Sequence, residues 1–176
     1  MNIKKISQKI CLVGDFSVGK TSLIRRFVER QFKDQYLSTV GVKISRKSIE
    51  VLGKETGGKN LLQLLIWDIE GQTKFKGITP SYLQGAKGAV IVADVTRAET
   101  LAHLQDHLNL FFSINPQGFG IVALNKADLL SSEELTTLLD NHKYSHLSQV
   151  IPTYTTSAKT GKNVDQIFQT LANKII

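Results

Sequence analysis

The sequence predicts an α/β protein, a mainly parallel sheet covered on both faces by helices. Three observations carry this. Short apolar runs alternate with helical periodicities along the whole chain, the pattern of strands buried on both faces. The first run breaks into a glycine turn and then a helical stretch, a strand–turn–helix signal. The unusual polar residues fall just after apolar runs, where open α/β sheets place their ligands.

The elements follow in order. Ile10-Cys11-Leu12-Val13 is the first strand, and the periodic stretch Ser22 to Val28 a helix. Val40 to Leu52 alternates in strand fashion, with Val42, Ile44, Ile49 and Val51 as its apolar residues. Lys54 to Asn60 is a turn and Leu61 to Trp67 a second, more apolar strand, so the pair reads as a hairpin. A short helix is expected near Thr79–Gln84. Gly88 to Ala93 is a buried strand ending at Asp94. A helix from about Ala98 to Ser113 puts Leu101, Leu104, Leu108, Phe111 and Phe112 on one stripe. Gly120 to Leu124 is the next strand, and Ser131 or Ser132 caps a helix from Glu133 to about Tyr144. Val150 to Thr155 and Val164 to Ile176 form the last strand and helix. No repeat or low-complexity tract interrupts the chain, and its 176 residues read as one domain, 1–176.

Bulk properties narrow the function. No apolar run approaches the roughly 20 residues needed to span a bilayer. Met1 to Lys9 has the lysines but not the apolar core of a secretory signal. The single cysteine forms no internal disulfide, which fits a reducing, cytoplasmic setting. A net charge of +7 invites a nucleic-acid reading, yet the basic residues are dispersed and not interleaved with aromatics. A solvated basic surface is the simpler account, and no specific nucleic acid is expected as a partner. His103/His107 and His142/His146 are i,i+4 pairs without the glutamate of a zinc helix, and read as solvated helix faces.

The chemistry concentrates in four motifs. Gly14-Asp15-Phe16-Ser17-Val18-Gly19-Lys20-Thr21 fits Gly, four free positions, Gly-Lys-Thr. Such a turn aims backbone N–H groups at one point, with the helix dipole behind them, and a phosphate chain fits that nest. Lys20 reaches the terminal phosphates and Thr21 ligates Mg²⁺, with Ser22 completing the contact set from Asp15 onward. Asp68-Ile69-Glu70-Gly71 leaves its strand so that Asp68 holds Mg²⁺ through a water and the Gly71 N–H approaches a γ-phosphate. In Asn125-Lys126-Ala127-Asp128, the aspartate accepts from the N1–H and amine of guanine, while the Lys126 stem lies along the base. Adenine lacks that donor pair, and leaving such a carboxylate unpaired costs up to roughly 10⁴-fold in affinity. The backbone N–H groups of Thr156-Ser157-Ala158-Lys159 are placed to donate to the guanine O6.

In this order and spacing the motifs resemble the Ras superfamily of small GTPases, and the Rab branch most closely. The supporting residues also include Tyr36-Leu37-Ser38-Thr39-Val40-Gly41-Val42, Trp67 to Gln72, Phe75 to Thr96 and Ser157-Ala158-Lys159. The resemblance implies a three-layer P-loop GTPase fold: a six-stranded, mostly parallel sheet with one antiparallel strand and about five helices. It implies that Thr39 ligates Mg²⁺ and senses the γ-phosphate, that Phe32 packs on the guanine, and that Tyr36 covers the phosphates. Gln72 would orient the attacking water, with Lys20 and Thr39 completing the catalytic set. Two loops, about 32–42 and 69–81, would switch between GTP and GDP and meet effector, exchange-factor and activating proteins. The protein would be a monomer, reaching a membrane only through a tail or partner outside this chain.

Three departures from the family stand out. Phe16 replaces a glycine or serine beside the γ-phosphate, where a phenyl ring blocks an arginine supplied by a partner. Glu70 replaces alanine, so its carboxylate must turn away, find a cation or weaken GTP relative to GDP. Asn173-Lys174-Ile175-Ile176 carries no cysteine for the prenyl anchor typical of Rabs. The expected activity is Mg²⁺-dependent hydrolysis of GTP, slow because no arginine stands in a matching position. Two alternatives remain: a guanine-nucleotide-dependent interaction module with little or no hydrolysis, and a nucleotide kinase built on the same loop.

Overall fold

A computed structural model describes residues 5–35, 37–53, 58–71 and 77–176. Tyr36 and Gln72, and with them part of both expected switch loops, lie outside the described residues. Six strands form one sheet: β1 (Lys5–Gly14), β2 (Val42–Leu52), β3 (Lys59–Ile69), β4 (Gly88–Asp94), β5 (Phe119–Asn125) and β6 (Val150–Thr155). Their order is β2-β3-β1-β4-β5-β6, and only β2 runs antiparallel, against β3. The predicted hairpin is therefore present, in register from Val42 opposite Ile69 to Leu52 opposite Lys59. β1 is central, which carries Gly14 to the middle of the ligand-binding edge.

Side-chain alternation along the buried strands divides the core. Ile10, Leu12, Leu64, Ile66, Val90, Val92 and Ile121 face α1 (Lys20–Glu29) and α5 (Val164–Ile175). There the rings of Phe27 and Phe168 stack at 4.1 Å. Cys11, Val13, Ala89, Ile91, Val122 and Leu124 face the other way, against Leu104, Leu108 and Phe111. Burial of Cys11 pushes its thiol up to about 12, with nearby Lys9 opposing the effect.

The helices differ in detail from expectation. The predicted helix 98–113 is two segments, α2 (Ala98–Ala102) and α3 (Leu104–Ile114), broken at His103. The short helix near residue 80 is a 3-10 turn, Pro80–Leu83. Ser131 caps α4 (Ser132–Asn141) in a capping box with Glu134. α4 ends before Tyr144 because His142 bends back to the Leu138 carbonyl at 2.7 Å, and Thr153 Oγ1 donates to the His142 carbonyl. No helix among the described residues is long and apolar enough to cross a membrane.

Candidate nucleotide-binding site

The turn after β1 holds five consecutive carbonyls against side-chain donors. Lys20 Nζ donates to Gly14 O at 3.0 Å and Asp15 O at 2.7 Å. Arg97 Nη1 donates to Phe16 O at 2.8 Å, Lys126 Nζ to Ser17 O at 3.1 Å, and Asn125 Nδ2 to Val18 O at 3.0 Å. Every peptide among the described residues is trans, so carbonyls of residues 16–18 held outward turn the N–H groups of residues 17–19 the opposite way. That concavity suits an anion. Gly19 has φ +102°, and a Cβ there would stand 2.3 Å from Asn125 Nδ2, so the turn admits no side chain at this point. Lys20 is 6% exposed; burial and, secondarily, Arg97 lower its pKa to about 8 against the pull of Asp68 and Asp15.

Thr21, Thr39 and Asp68 converge beside the turn. Thr21 Oγ1 donates to Asp68 Oδ2 at 2.6 Å and lies 2.9 Å from Thr39 Oγ1, which is 3.4 Å from the same carboxylate oxygen. Burial raises the pKa of Asp68, with the Thr21 hydrogen bond and Lys20 opposing. The other oxygen, Oδ1, is buried and has no hydrogen-bond partner among the described residues. Two hydroxyls and a carboxylate with one oxygen unspent form an all-oxygen donor set that fits a hard divalent cation such as Mg²⁺.

The far end is built from the turns after β5 and β6. Thr156 Oγ1 donates to Asn125 Oδ1 at 3.1 Å, and Ser157 Oγ to Asp128 Oδ1 at 2.7 Å. Lys126, at φ +64°, pairs with buried Asp94 at 2.7 Å. The amides of Thr156 and Ser157 are already spent on Leu124 O and Lys162 O. The expected amide row is thereby corrected: Ala158 and Lys159 are the members that line the cleft. Arg26, which the sequence reading passed over, fixes them by donating to the carbonyls of both.

Of the predicted contacts, Phe16, Ser17, Gly19, Lys20, Thr21, Ser22, Phe32, Thr39, Asn125, Lys126, Asp128, Ala158 and Lys159 line one cleft of about 380 Å³. That size suits a nucleotide-scale ligand. Val18, Asp68, Gly71 and Ser157 are buried and do not line the cleft. A Cβ on Gly71 would lie 2.6 Å from Phe16 Cα and N, so Gly71 rests directly on the backbone of the turn after β1. Arg25, Lys33, Asp34 and Leu129 also line the cleft. Arg25 was legible in principle, one helical turn beyond Thr21 on the same face.

One expectation changes. His103 and His107 do not form a shared solvated face: His107 is 2% exposed, His103 is half-buried, and both rings contact Asp15. His103 Nδ1 stands 2.6 Å from Asp15 Oδ2 and His107 Nε2 2.8 Å from Oδ1. An ionised carboxylate only accepts, so both nitrogens carry protons. The Asp15 side chain is thus turned into α3, leaving only its backbone to the ligand. Glu70 takes one of its three expected courses, turning away: its Oε2 accepts from Gly41 N at 3.1 Å.

Comparison with known proteins agrees with this geometry. The model of the Ras family matches residues 9–176. GTP-binding protein ypt5 of Schizosaccharomyces pombe is 33% identical over 175 residues, covering 99% of this chain and 80% of the relative. Ras-related protein Rab-13 of Rattus norvegicus is 33% identical over 174 residues, covering 96% and 79%. Ras-related protein Rab-4A of the same species is 35% identical over 169 residues, covering 96% and 74%. The chain belongs to the Ras family and is Rab-like within it.

Proposed function

We propose that this protein is a guanine-nucleotide switch that binds GTP and GDP and hydrolyses GTP to GDP and phosphate. One observation carries the reading: a single cleft joins Asp128, oriented by Ser157, to the amide nest around Lys20. The first end selects a purine with an N1–H and amine, and the second grips a polyphosphate.

In this reading the carboxylate of Asp128 takes the two guanine donors, Ala158 and Lys159 present backbone N–H groups to O6, and Phe32 packs against the base. The amides of residues 17–19 and the ammonium of Lys20 hold the phosphates and favour the charge that builds during transfer. Thr21 and Thr39, with Asp68 through a water, would hold Mg²⁺, which would supply charge neutralisation to the phosphates when bound. Gln72 and Thr39 position the attacking water, and Gly71 senses the γ-phosphate. Thr39 and Gly71 belong to the segments 32–42 and 69–81, so ordering them gives effectors, exchange factors and activators a nucleotide-dependent surface. The protein acts as a cytoplasmic monomer and meets membranes through partners or a tail.

Intrinsic turnover should be on the order of 10⁻⁴ to 10⁻² s⁻¹. Calorimetry with Mg²⁺ tests the base assignment: GTP and GDP should bind at least 10³-fold more tightly than ATP, and equal affinities would refute it. Phe16, 38% exposed at the mouth of the nest, favours a second reading, a binding module with negligible hydrolysis. Single-turnover hydrolysis at the no-protein background would select that reading.

A further inference from the structure

We infer that Arg97 is a positioning residue for phosphoryl transfer, acting on the phosphate loop from within the same chain. The inference rests on the guanine-nucleotide reading above and adds a residue to it. Arg97 is the N-cap of α2, with extended backbone (φ −125°, ψ 100°), so its side chain leaves the helix start free to cross to the loop. Its guanidinium is held at two points: Nε donates to Glu99 Oε1 at 3.1 Å and Nη1 to Phe16 O at 2.8 Å.

Among the carbonyls of residues 14–18, that of Phe16 is the one held by a guanidinium. The peptide joining Phe16 to Ser17 is trans, so the Ser17 N–H points away from Arg97. Ser17 itself lines the cleft at φ +64°. A charged donor on one side of a peptide draws electron density from it and strengthens the N–H on the other side as a donor. Donors aimed where phosphoryl charge develops are worth more in the transition state than in the ground state.

The adjoining anchor supports the same role. His103 and His107, six and ten positions after Arg97, fix the Asp15 carboxylate. Residues 15 and 16 are therefore both tied to the 97–107 segment, one through its side chain and one through its backbone. A loop tied down at two successive residues presents its amides without reorganising during the reaction.

The test uses the full chain with Arg97→Ala, Arg97→Lys and Arg97→Gln. Readouts are single-turnover GTP hydrolysis at saturating Mg²⁺, affinities for fluorescent GDP and a non-hydrolysable GTP analogue, and thermal midpoint. Arg97→Ala should slow hydrolysis about tenfold, a fraction of the 10²–10³ lost with a whole oxyanion donor. It should also cut the preference for the GTP analogue over GDP about fivefold, with the midpoint little changed. Arg97→Lys should recover most of both, and Arg97→Gln should keep GDP affinity but not the rate. The inference is overturned if Arg97→Ala stays within twofold of wild type in rate and preference. It is equally overturned if both nucleotides weaken alike with a fallen midpoint that lysine does not rescue. Wild type that binds no guanine nucleotide would instead sink the parent reading. Should wild type bind without hydrolysing, the preference measurement decides.

Discussion

Ser157 Oγ donates to Asp128 Oδ1 at 2.7 Å, linking the loop after β6 to the 3-10 turn after β5. Ser157 is buried and Asp128 exposed, so the hydroxyl acts as a fixed post for an exposed carboxylate. Hydrogen bonds to charged groups contribute about 1.5–3 kcal/mol, less where solvent competes. Ser157→Ala should therefore weaken GDP about tenfold in calorimetry and narrow the margin over ADP. Unchanged affinity would show that Asp128 orients itself without help.

Gly71 and Phe16 make the second prediction. An alanine Cβ at position 71 would meet Phe16 backbone at 2.6 Å, and backbone does not yield as a flexible side chain does. The backbone at Gly71 must then lift from the turn after β1. Gly71→Ala should leave GDP affinity within about threefold while hydrolysis falls by about 10² or more, the scale of one lost oxyanion donor. Parallel measurement of both on one preparation checks it; equal losses would contradict the assignment.

Asp15 predicts a pH dependence. Burial opposes its charge, yet hydrogen bonds from His107 and His103 prevail and hold the carboxyl below the usual range. A carboxyl depressed on folding stabilises the fold above its unfolded value of about 3.9 and loses that contribution as pH falls through the folded value. Asp15→Asn keeps the shape without the charge. Its thermal midpoint should lie about 3–6 °C below wild type near pH 6, and the gap should close on acidification below about pH 4. A gap indifferent to pH would discount the imidazole clasp.

These contacts also show where sequence reading stops. The Gly-x-x-x-x-Gly-Lys-Thr turn, the β2–β3 hairpin and the placement of Asn125 to Asp128 depend on neighbours along the chain, so they were legible. The Asp15–His107 and Phe16–Arg97 contacts span 92 and 81 residues. Nothing in the helical stripe of α3 distinguishes a histidine aimed at solvent from one aimed under the loop. The break at His103 was hidden for the same reason, since the apolar spacing of Leu101, Leu104 and Leu108 continues through it. Glu70 was recognised as anomalous, but its acceptor role required knowing that β2 brings Gly41 alongside Ile69 and Glu70.

Glu70 supplies the last variant. Its carboxylate holds the Gly41 amide, and its own N–H donates to Gly41 O at 2.8 Å, so the two segments are closed on each other from both sides. Glu70→Ala removes one of these bonds. Amide exchange of a peptide covering residues 37–47, followed by mass spectrometry in the GDP-loaded state, should accelerate about tenfold at Gly41, equivalent to roughly 1.4 kcal/mol. Identical exchange would mean the side chain contributes nothing to that closure.

The placement of Cys11 has a practical outcome. It is the chain's single cysteine, wholly buried in the central strand, with its thiol pushed up to about 12. At neutral pH the native state offers alkylating reagents neither access nor thiolate. Iodoacetamide labelling therefore times the opening of the innermost strand, with no engineered probe required. Ligands that brace the fold should lengthen that clock in proportion to their occupancy.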